Sequence, residues 1–122
     1  MTKNTELIKQ VKEVAFLEGE FTTRAGKKTN FYIDKYLFET QPKILEQVVD
    51  EIVSQLPPLD SFDRIAAPAL GAVSLAAVLS LKINKPYIII QKPTAPVDNL
   101  IVGEYHKNET VLVLEDVLTT GM

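Results

Sequence analysis

The fold is decided by the stretch Val-Leu-Val-Leu-Glu-Asp-Val-Leu-Thr-Thr-Gly, residues 111–121. Its apolar start, with residues 110–114 extended, is typical of a strand covered on both faces in a parallel sheet. The acidic pair Glu115-Asp116 and a glycine-containing turn follow at the carboxyl end of that strand. Bared backbone N–H groups and threonine hydroxyls can bind phosphate there, and the carboxylates can hold sugar hydroxyls or magnesium. The stretch therefore predicts a strand that delivers a phosphate-binding turn.

Helix alternates with strand along the rest of the chain. Apolar residues at helical spacing predict a helix over residues 5–17, ended by Gly19, and a second helix from Pro42 to Leu56. The remaining predicted elements are a hairpin or pair of loops around residues 20–34, strands at 64–67 and 87–91, a turn at 68–71 and a helix at 72–81. That last helix is apolar nearly all round and is expected to be enclosed. This order predicts α/β architecture, with ligands outside the carboxyl ends of parallel strands.

Composition narrows the class of protein. With 122 residues, of which 46% are hydrophobic and 24% charged, the chain has room for one domain. A net charge of −3 without a basic run argues against nucleic acid as the main partner. The absence of cysteine excludes disulfides and thiolate metal sites and fits a reducing cytoplasm. The sequence contains no run of about 18 apolar residues, the length that a membrane span requires. We therefore expect a cytoplasmic protein without a membrane partner.

The stretch at 111–121 closely resembles the motif that binds 5-phosphoribosyl-1-diphosphate (PRPP) in type I phosphoribosyltransferases. The resemblance implies the parallel sheet flanked by helices of that family, with Asp116 among the catalytic residues. It also implies that Glu115 and Asp116 contact the ribose hydroxyls and are candidate ligands of Mg²⁺. The residues of the phosphate-binding turn would then be Val117, Leu118, Thr119, Thr120 and Gly121. The alternative is a buried strand followed by an ordinary acidic turn.

A second turn, at residues 66–72, passes from a strand straight into a helix. A helix N-terminus favours negative charge. The stretch resembles the family's diphosphate loop, which implies that Ala69, Leu70 and Gly71 offer backbone donors to the leaving group. Taken by itself, a close-packed turn of small residues is the more common structure.

The segment from Glu20 to Asp34 resembles a segment peculiar to orotate phosphoribosyltransferases. The resemblance implies that Arg24 meets the diphosphate, while Phe31 and Tyr32 flank the pyrimidine. Arginine adds a planar fork that suits phosphate. We therefore expect a single, partial phosphoribosyltransferase domain over residues 1–122, with residues 1–40 as its base-binding segment. A solvated basic turn beside a core strand is the alternative.

The resemblance fails in two places. The family's catalytic loop normally carries several cations, but the stretch Gln91–Asp98 keeps only Lys92, with Ala95 and Val97 where a lysine and a histidine would stand. His106, the one histidine, is expected on the surface. In addition, the family continues beyond the turn where Met122 ends this sequence, so we expect a C-terminally incomplete fold.

The resemblance implies transfer of ribose 5-phosphate from PRPP to orotate with Mg²⁺, in a homodimer, with Lys92 as a catalytic cation. The poor loop leaves two alternatives open. One is a catalytically impaired protein that binds PRPP or a nucleotide and regulates a partner. The other is an incomplete fragment with neither property.

Overall fold

The computed structural model describes residues 5–22, 26–93 and 100–115, without the side chains of residues 21, 32 and 33. The chain divides into two compact units, Met1–Glu51 and Ile52–Met122. The single partial domain with a base-binding segment at residues 1–40 stays a prediction.

The first unit holds an antiparallel hairpin and helices. Its elements are α1 (Thr5–Ala15), β1 (Phe16–Thr22), β2 (Lys28–Ile33), α2 (Tyr36–Glu39) and α3 (Pro42–Ser54), the last crossing into the second unit. Strands β1 and β2 pair from Phe16 opposite Ile33 to Thr22 opposite Lys28. The predicted hairpin and both predicted helices are therefore confirmed, and the four-residue α2 was not predicted.

The end of α1 differs from the prediction, because Gly19 lies inside β1 and does not end the helix. The helix stops at Ala15, whose carbonyl accepts the Asp34 N–H at 2.8 Å. Phe16 then joins the hairpin, and its ring stacks on Phe31 with centroids 5.4 Å apart. Strand pairing and ring stacking thus override the helical spacing of the last residues.

The second unit holds a four-stranded sheet. Its elements are a 3₁₀ turn (Leu59–Ser61), β3 (Arg64–Pro68), α4 (Val73–Ile83), β4 (Tyr87–Ile90), β5 (Ile101–Val102) and β6 (Val111–Val113). The strand order is β5-β4-β3-β6, with β4 and β6 parallel to β3 and β5 antiparallel to β4. The α/β architecture and its parallel strands are confirmed, whereas the two-residue β5 was not predicted.

The core of this unit forms between β3, β4 and α4. Ile65 in β3 and Leu79 in α4 are fully buried, and α4 contacts both strands. Two expectations of coverage are wrong. Leu81 is 85% exposed on the far side of α4, because only one face of the helix packs on the sheet. Val111 and Val113 are 40% and 59% exposed, since β6 lies at one end of the sheet and no described residue covers that face.

No helix within the described ranges is both long enough and apolar enough to cross a membrane.

Gly103, directly after β5, gives a test of backbone fit. Its φ is +109°, and an added Cβ would lie 3.3 Å from Ile88 Cγ2. Gly26 has a φ of +83°, and a Cβ added there would have no atom within 4 Å. We expect Gly26→Ala to reduce the free energy of unfolding by about 1 kcal/mol through φ alone. Gly103→Ala should reduce the free energy of unfolding by more, because the contact of the added methyl group with Ile88 adds to the backbone strain. Urea unfolding of both variants measures the difference, and equal losses would contradict it.

A charged pair ties the amino ends of β3 and β6. Arg64 Nε lies 2.6 Å from Glu109 Oε1, which also accepts the backbone N–H of His106 at 2.8 Å. The Arg64 hydrogen bond is the main reason that the pKa of Glu109 is lowered. The Asp63 carboxylate accepts the Thr110 N–H beside this pair. Side chains 45 positions apart therefore hold one end of the sheet.

Because its pKa is lower in the folded chain, Glu109 stabilises the fold above its unfolded pKa, and this stabilisation disappears as pH falls through the folded pKa. Between about pH 6 and about pH 3, we expect the Tm of the parent chain to fall further than that of Glu109→Gln. Glu104→Gln is the control, since Glu104 is exposed, lies 3.7 Å from His106 and acts on Arg64 through its charge without the hydrogen bond that Glu109 makes. Identical pH profiles for the parent chain and Glu109→Gln would contradict the prediction.

Candidate functional site

Parallel pairing places the ends of three strands at one edge of the sheet. The turn Ala69–Gly71 follows β3, Lys92 follows β4 and Glu115 follows β6. The Ala69 N–H donates to the Ile90 carbonyl at 2.8 Å, and hydrogen bonding continues past the end of β6 as well. These three segments were selected from the sequence separately, and the sheet brings them to a common edge.

The turn between β3 and α4 presents backbone donors. Gly71 and Ala72 are buried, whereas the Leu70 side chain is 70% exposed. The Ala72 N–H donates to Pro68 O, and the Val73 N–H donates to Leu70 O. The Leu70 and Gly71 N–H groups donate to no acceptor among the residues that the structure describes. The Ala69–Leu70 peptide bond is cis. Two backbone donors without a described acceptor thus lie just before an 11-residue helix, where anions are favoured.

Lys92 and Glu115 bring opposite charges to this edge, and both side chains are exposed. The Gln91 N–H donates to the Leu100 carbonyl at 2.7 Å, which fixes the backbone one residue before Lys92. Lys92 has no ion-pair partner in the described ranges. The candidates Asp116, Val117, Leu118, Thr119, Thr120 and Gly121 lie outside the described residues, as do Ala95 and Val97.

The hairpin of the first unit carries the candidates for base binding. Phe31 is 45% exposed and stacks on Phe16, with their rings 12° from parallel. The backbone of Tyr32 lies in β2, although its side chain is not described, and Arg24 lies outside the described residues. The proposed roles of these three residues stay predictions.

A cavity of about 410 Å³ adjoins the same hairpin, and its described lining residues are not among the site residues predicted from the sequence. The described lining consists of Glu20, Thr22, Lys28, Thr29 and Asn30. The available signal was the spacing of Lys28 and Asn30, which places both on one face of a strand.

His106 lies on the surface, as predicted. Its side chain is 60% exposed and its Nε2 atom is 3.7 Å from Glu104. Its backbone N–H donates to Glu109, the partner of Arg64 at the amino end of β3. His106 is therefore remote from the edge that carries Lys92.

Curated proteins that are similar in sequence to this chain are orotate phosphoribosyltransferases. A scan against models of protein families gives no match. The orotate phosphoribosyltransferase of Methanocella arvoryzae is 39% identical over 122 residues, covering 98% of this chain and 67% of the relative. The orotate phosphoribosyltransferase of Methanocaldococcus jannaschii is 38% identical over 126 residues, covering 99% of this chain and 69% of the relative. The chain thus spans about two thirds of the length of these curated relatives.

Solved structures agree on the fold. UMP synthase of Leishmania donovani superposes with a TM-score of 0.70 at 29% identity, over 91% of this chain and 24% of that chain. Orotate phosphoribosyltransferase of Mycobacterium tuberculosis H37Rv, in complex with Fe(III) dicitrate, superposes with a TM-score of 0.68 at 20% identity, over 95% of this chain and 68% of that chain. Sequence identity over nearly the whole chain, together with the parallel sheet and its edge, shows that the chain belongs to the orotate phosphoribosyltransferase family.

Proposed function

We propose that this chain transfers ribose 5-phosphate from PRPP to orotate, giving orotidine 5-phosphate and diphosphate in pyrimidine nucleotide synthesis. The observation that carries the proposal is the shared edge of the sheet, where the Ala69–Gly71 turn, Lys92 and Glu115 meet. Backbone donors, a cation and a carboxylate are the groups that a phosphorylated sugar needs.

The diphosphate is the group that departs. The N–H groups of Leu70 and Gly71 donate to its oxygens, and the Lys92 ammonium offsets the negative charge that develops as it leaves. Glu115 and its sequence neighbour Asp116 orient the ribose through its hydroxyls, and the turn at residues 117–121 binds the 5-phosphate. Arg24 adds a further cation for the diphosphate, while Phe31 and Tyr32 contact the pyrimidine.

Magnesium fits this scheme as an ion that arrives with PRPP. The described residues include no group of three or more histidine, aspartate or glutamate side chains able to hold a metal by themselves. Mg²⁺ commonly uses one or two carboxylates together with substrate phosphates. Glu115 and Asp116 would supply those oxygens, and the bound ion would neutralise charge on the diphosphate.

The test is to incubate the purified 122-residue chain with PRPP, orotate and Mg²⁺. Orotidine 5-phosphate is separated from orotate by anion-exchange chromatography, and diphosphate is measured in the same samples. Equal amounts of both products support transfer. Diphosphate without the nucleotide would show hydrolysis of PRPP, which contradicts the proposal.

The small number of cationic side chains after β4 favours a second function. Lys92 is the one residue of Gln91–Asp98 with a positive charge, and Ala95 and Val97 are neutral. The second proposal is therefore a protein that binds PRPP or a nucleotide and regulates a partner without turnover. Binding of PRPP in equilibrium dialysis, with no product from the transfer assay, supports this second function over the first.

We also propose a cytoplasmic homodimer. Resemblance to the family supports the homodimer, and the sequence without cysteine fits a reducing compartment. Sedimentation equilibrium is the measurement for assembly, and the mass of a monomer at assay concentrations contradicts the dimer.

A further inference from the structure

The turn between β3 and α4 contains one side chain larger than a methyl group, that of Leu70. The two residues that follow, Gly71 and Ala72, are buried, whereas Leu70 is 70% exposed. The leucines that α4 contributes to the core are Leu75 and Leu79. Burial of apolar surface in the core therefore does not account for a leucine at position 70.

Leu70 lies between the two backbone donors of the turn. Its own N–H and that of Gly71 donate to no acceptor among the described residues, and the Leu70 Cα lies between the two nitrogens along the chain. An oxygen that accepts from such an N–H lies about 2.9 Å from the nitrogen. Because the side chain is attached to that same Cα, an anion held by both N–H groups has the Leu70 side chain beside it. The one sizeable side chain of the turn thus borders the expected position of the diphosphate.

The chemistry of the proposed reaction makes the surroundings of this position important. Loss of diphosphate breaks the bond between C1 of the ribose and a diphosphate oxygen, and the bonding electrons leave with the diphosphate. The electron-poor C1 then accepts an electron pair from a ring nitrogen of orotate or from a water oxygen, and either nucleophile releases one proton to the solvent. Attack by water gives ribose 5-phosphate, so PRPP is consumed without forming a nucleotide. Keeping water away from the reacting atoms prevents this side reaction.

We propose that Leu70 is a specificity-determining residue that selects the pyrimidine over water as the acceptor. Its exposed apolar side chain covers the diphosphate held by the two backbone donors and keeps water away from C1. Lys92 and Glu115, at the same edge of the sheet, are charged and exposed and supply no such cover. The proposal rests on the function proposed above, since it concerns the competition between two acceptors at that site.

The expected effect is on the products and not on binding. Both backbone N–H groups remain when Leu70 is replaced, so the affinity for PRPP should depend little on the side chain. The ratio of the two products should change instead, because it depends on the access of water to C1. A tenfold change in that ratio corresponds to a change of about 1.4 kcal/mol in the difference between the two barriers.

The experiment incubates the full chain with PRPP, orotate and Mg²⁺ and measures orotidine 5-phosphate and ribose 5-phosphate in the same samples. Leu70→Asn replaces the apolar side chain with a polar one of similar size, and Leu70→Met keeps an apolar side chain of similar volume. Leu81→Asn is the matched control, because Leu81 is 85% exposed at the opposite end of α4. Equilibrium dialysis gives the Kd of PRPP, and far-ultraviolet circular dichroism compares the fold of each variant with that of the parent chain.

We expect Leu70→Asn to raise the ratio of ribose 5-phosphate to orotidine 5-phosphate by about 10-fold or more, with a Kd of PRPP within about 3-fold of the parent value. Leu70→Met and Leu81→Asn should keep the parent ratio. An unchanged ratio in Leu70→Asn, or a rise of the same size in Leu70→Met or Leu81→Asn, overturns the role of Leu70 while leaving the proposed transferase intact. A parent chain that binds PRPP and forms no nucleotide instead removes the proposed function itself, and the role of Leu70 with it.

Discussion

Replacing Lys92 with alanine is expected to reduce kcat for orotidine 5-phosphate formation by about 100-fold or more. Removal of one preorganised charge-stabilising group commonly has an effect of that size. Lys92 is the second residue after β4, at the same edge of the sheet as the β3 turn, whose Leu70 and Gly71 N–H groups donate to no described acceptor. The segment Gln91–Asp98 contains no other cationic side chain that could replace Lys92. The charge on the departing diphosphate would then be left largely uncompensated by this segment.

The design separates chemistry from binding. The dissociation constant of PRPP should change much less than kcat, because the charge on the leaving group is greatest in the transition state. Lys92→Arg keeps the charge and should retain more activity than alanine. Lys107→Ala is the control for net charge, since Lys107 is exposed in the turn that precedes β6. A Lys92→Ala chain with the parent kcat would remove Lys92 from the mechanism.

Leu79→Ala is expected to lower the free energy of unfolding by about 2–5 kcal/mol, the usual cost of removing a fully buried leucine side chain. Leu79 is 0% exposed in α4, the helix that covers β3 and β4. Domains of this size have a total stability of only about 5–15 kcal/mol. The loss should therefore appear as a large fall in the urea midpoint, measured by far-ultraviolet circular dichroism.

Leu81 provides the matched control on the same helix. It is 85% exposed, so Leu81→Ala removes the same atoms from solvent rather than from the core. We expect its effect to stay within about 0.5 kcal/mol. A similar loss in both variants would show that α4 is covered on both sides, contrary to the packing described above.

The parallel sheet could be read from the sequence because its strands carry their signal locally. Residues 87–90 are Tyr-Ile-Ile-Ile, and Val111 begins a comparable run, so strand propensity indicates both strands, although Val111 and Val113 are exposed. Once the strands are parallel, their carboxyl ends must share an edge. The approach of Ala69–Gly71, Lys92 and Glu115 therefore followed from topology, without any need to predict side-chain positions.

Other features depend on contacts that the sequence does not display. Strand β5 has only two residues and exists because it pairs with Ile89 and Ile90 of β4. The Arg64–Glu109 pair joins residues far apart in sequence, so neither residue carries a local sign of it. The cavity residues were missed because the register shift near Glu20 becomes visible only when the two strands are aligned.

The short strand β5 has a consequence for protein engineering. It pairs with β4, and the Gln91–Leu100 hydrogen bond closes the two ends of the intervening segment. The sheet thus holds the two residues that flank residues 92–99, Gln91 and Leu100, close together. Doubling the length of a flexible insert adds only about 0.6 kcal/mol of closure entropy. We therefore expect the fold to accept longer or more basic segments between these two residues. Adding cationic residues to this segment one at a time would then show how much each contributes to departure of the diphosphate.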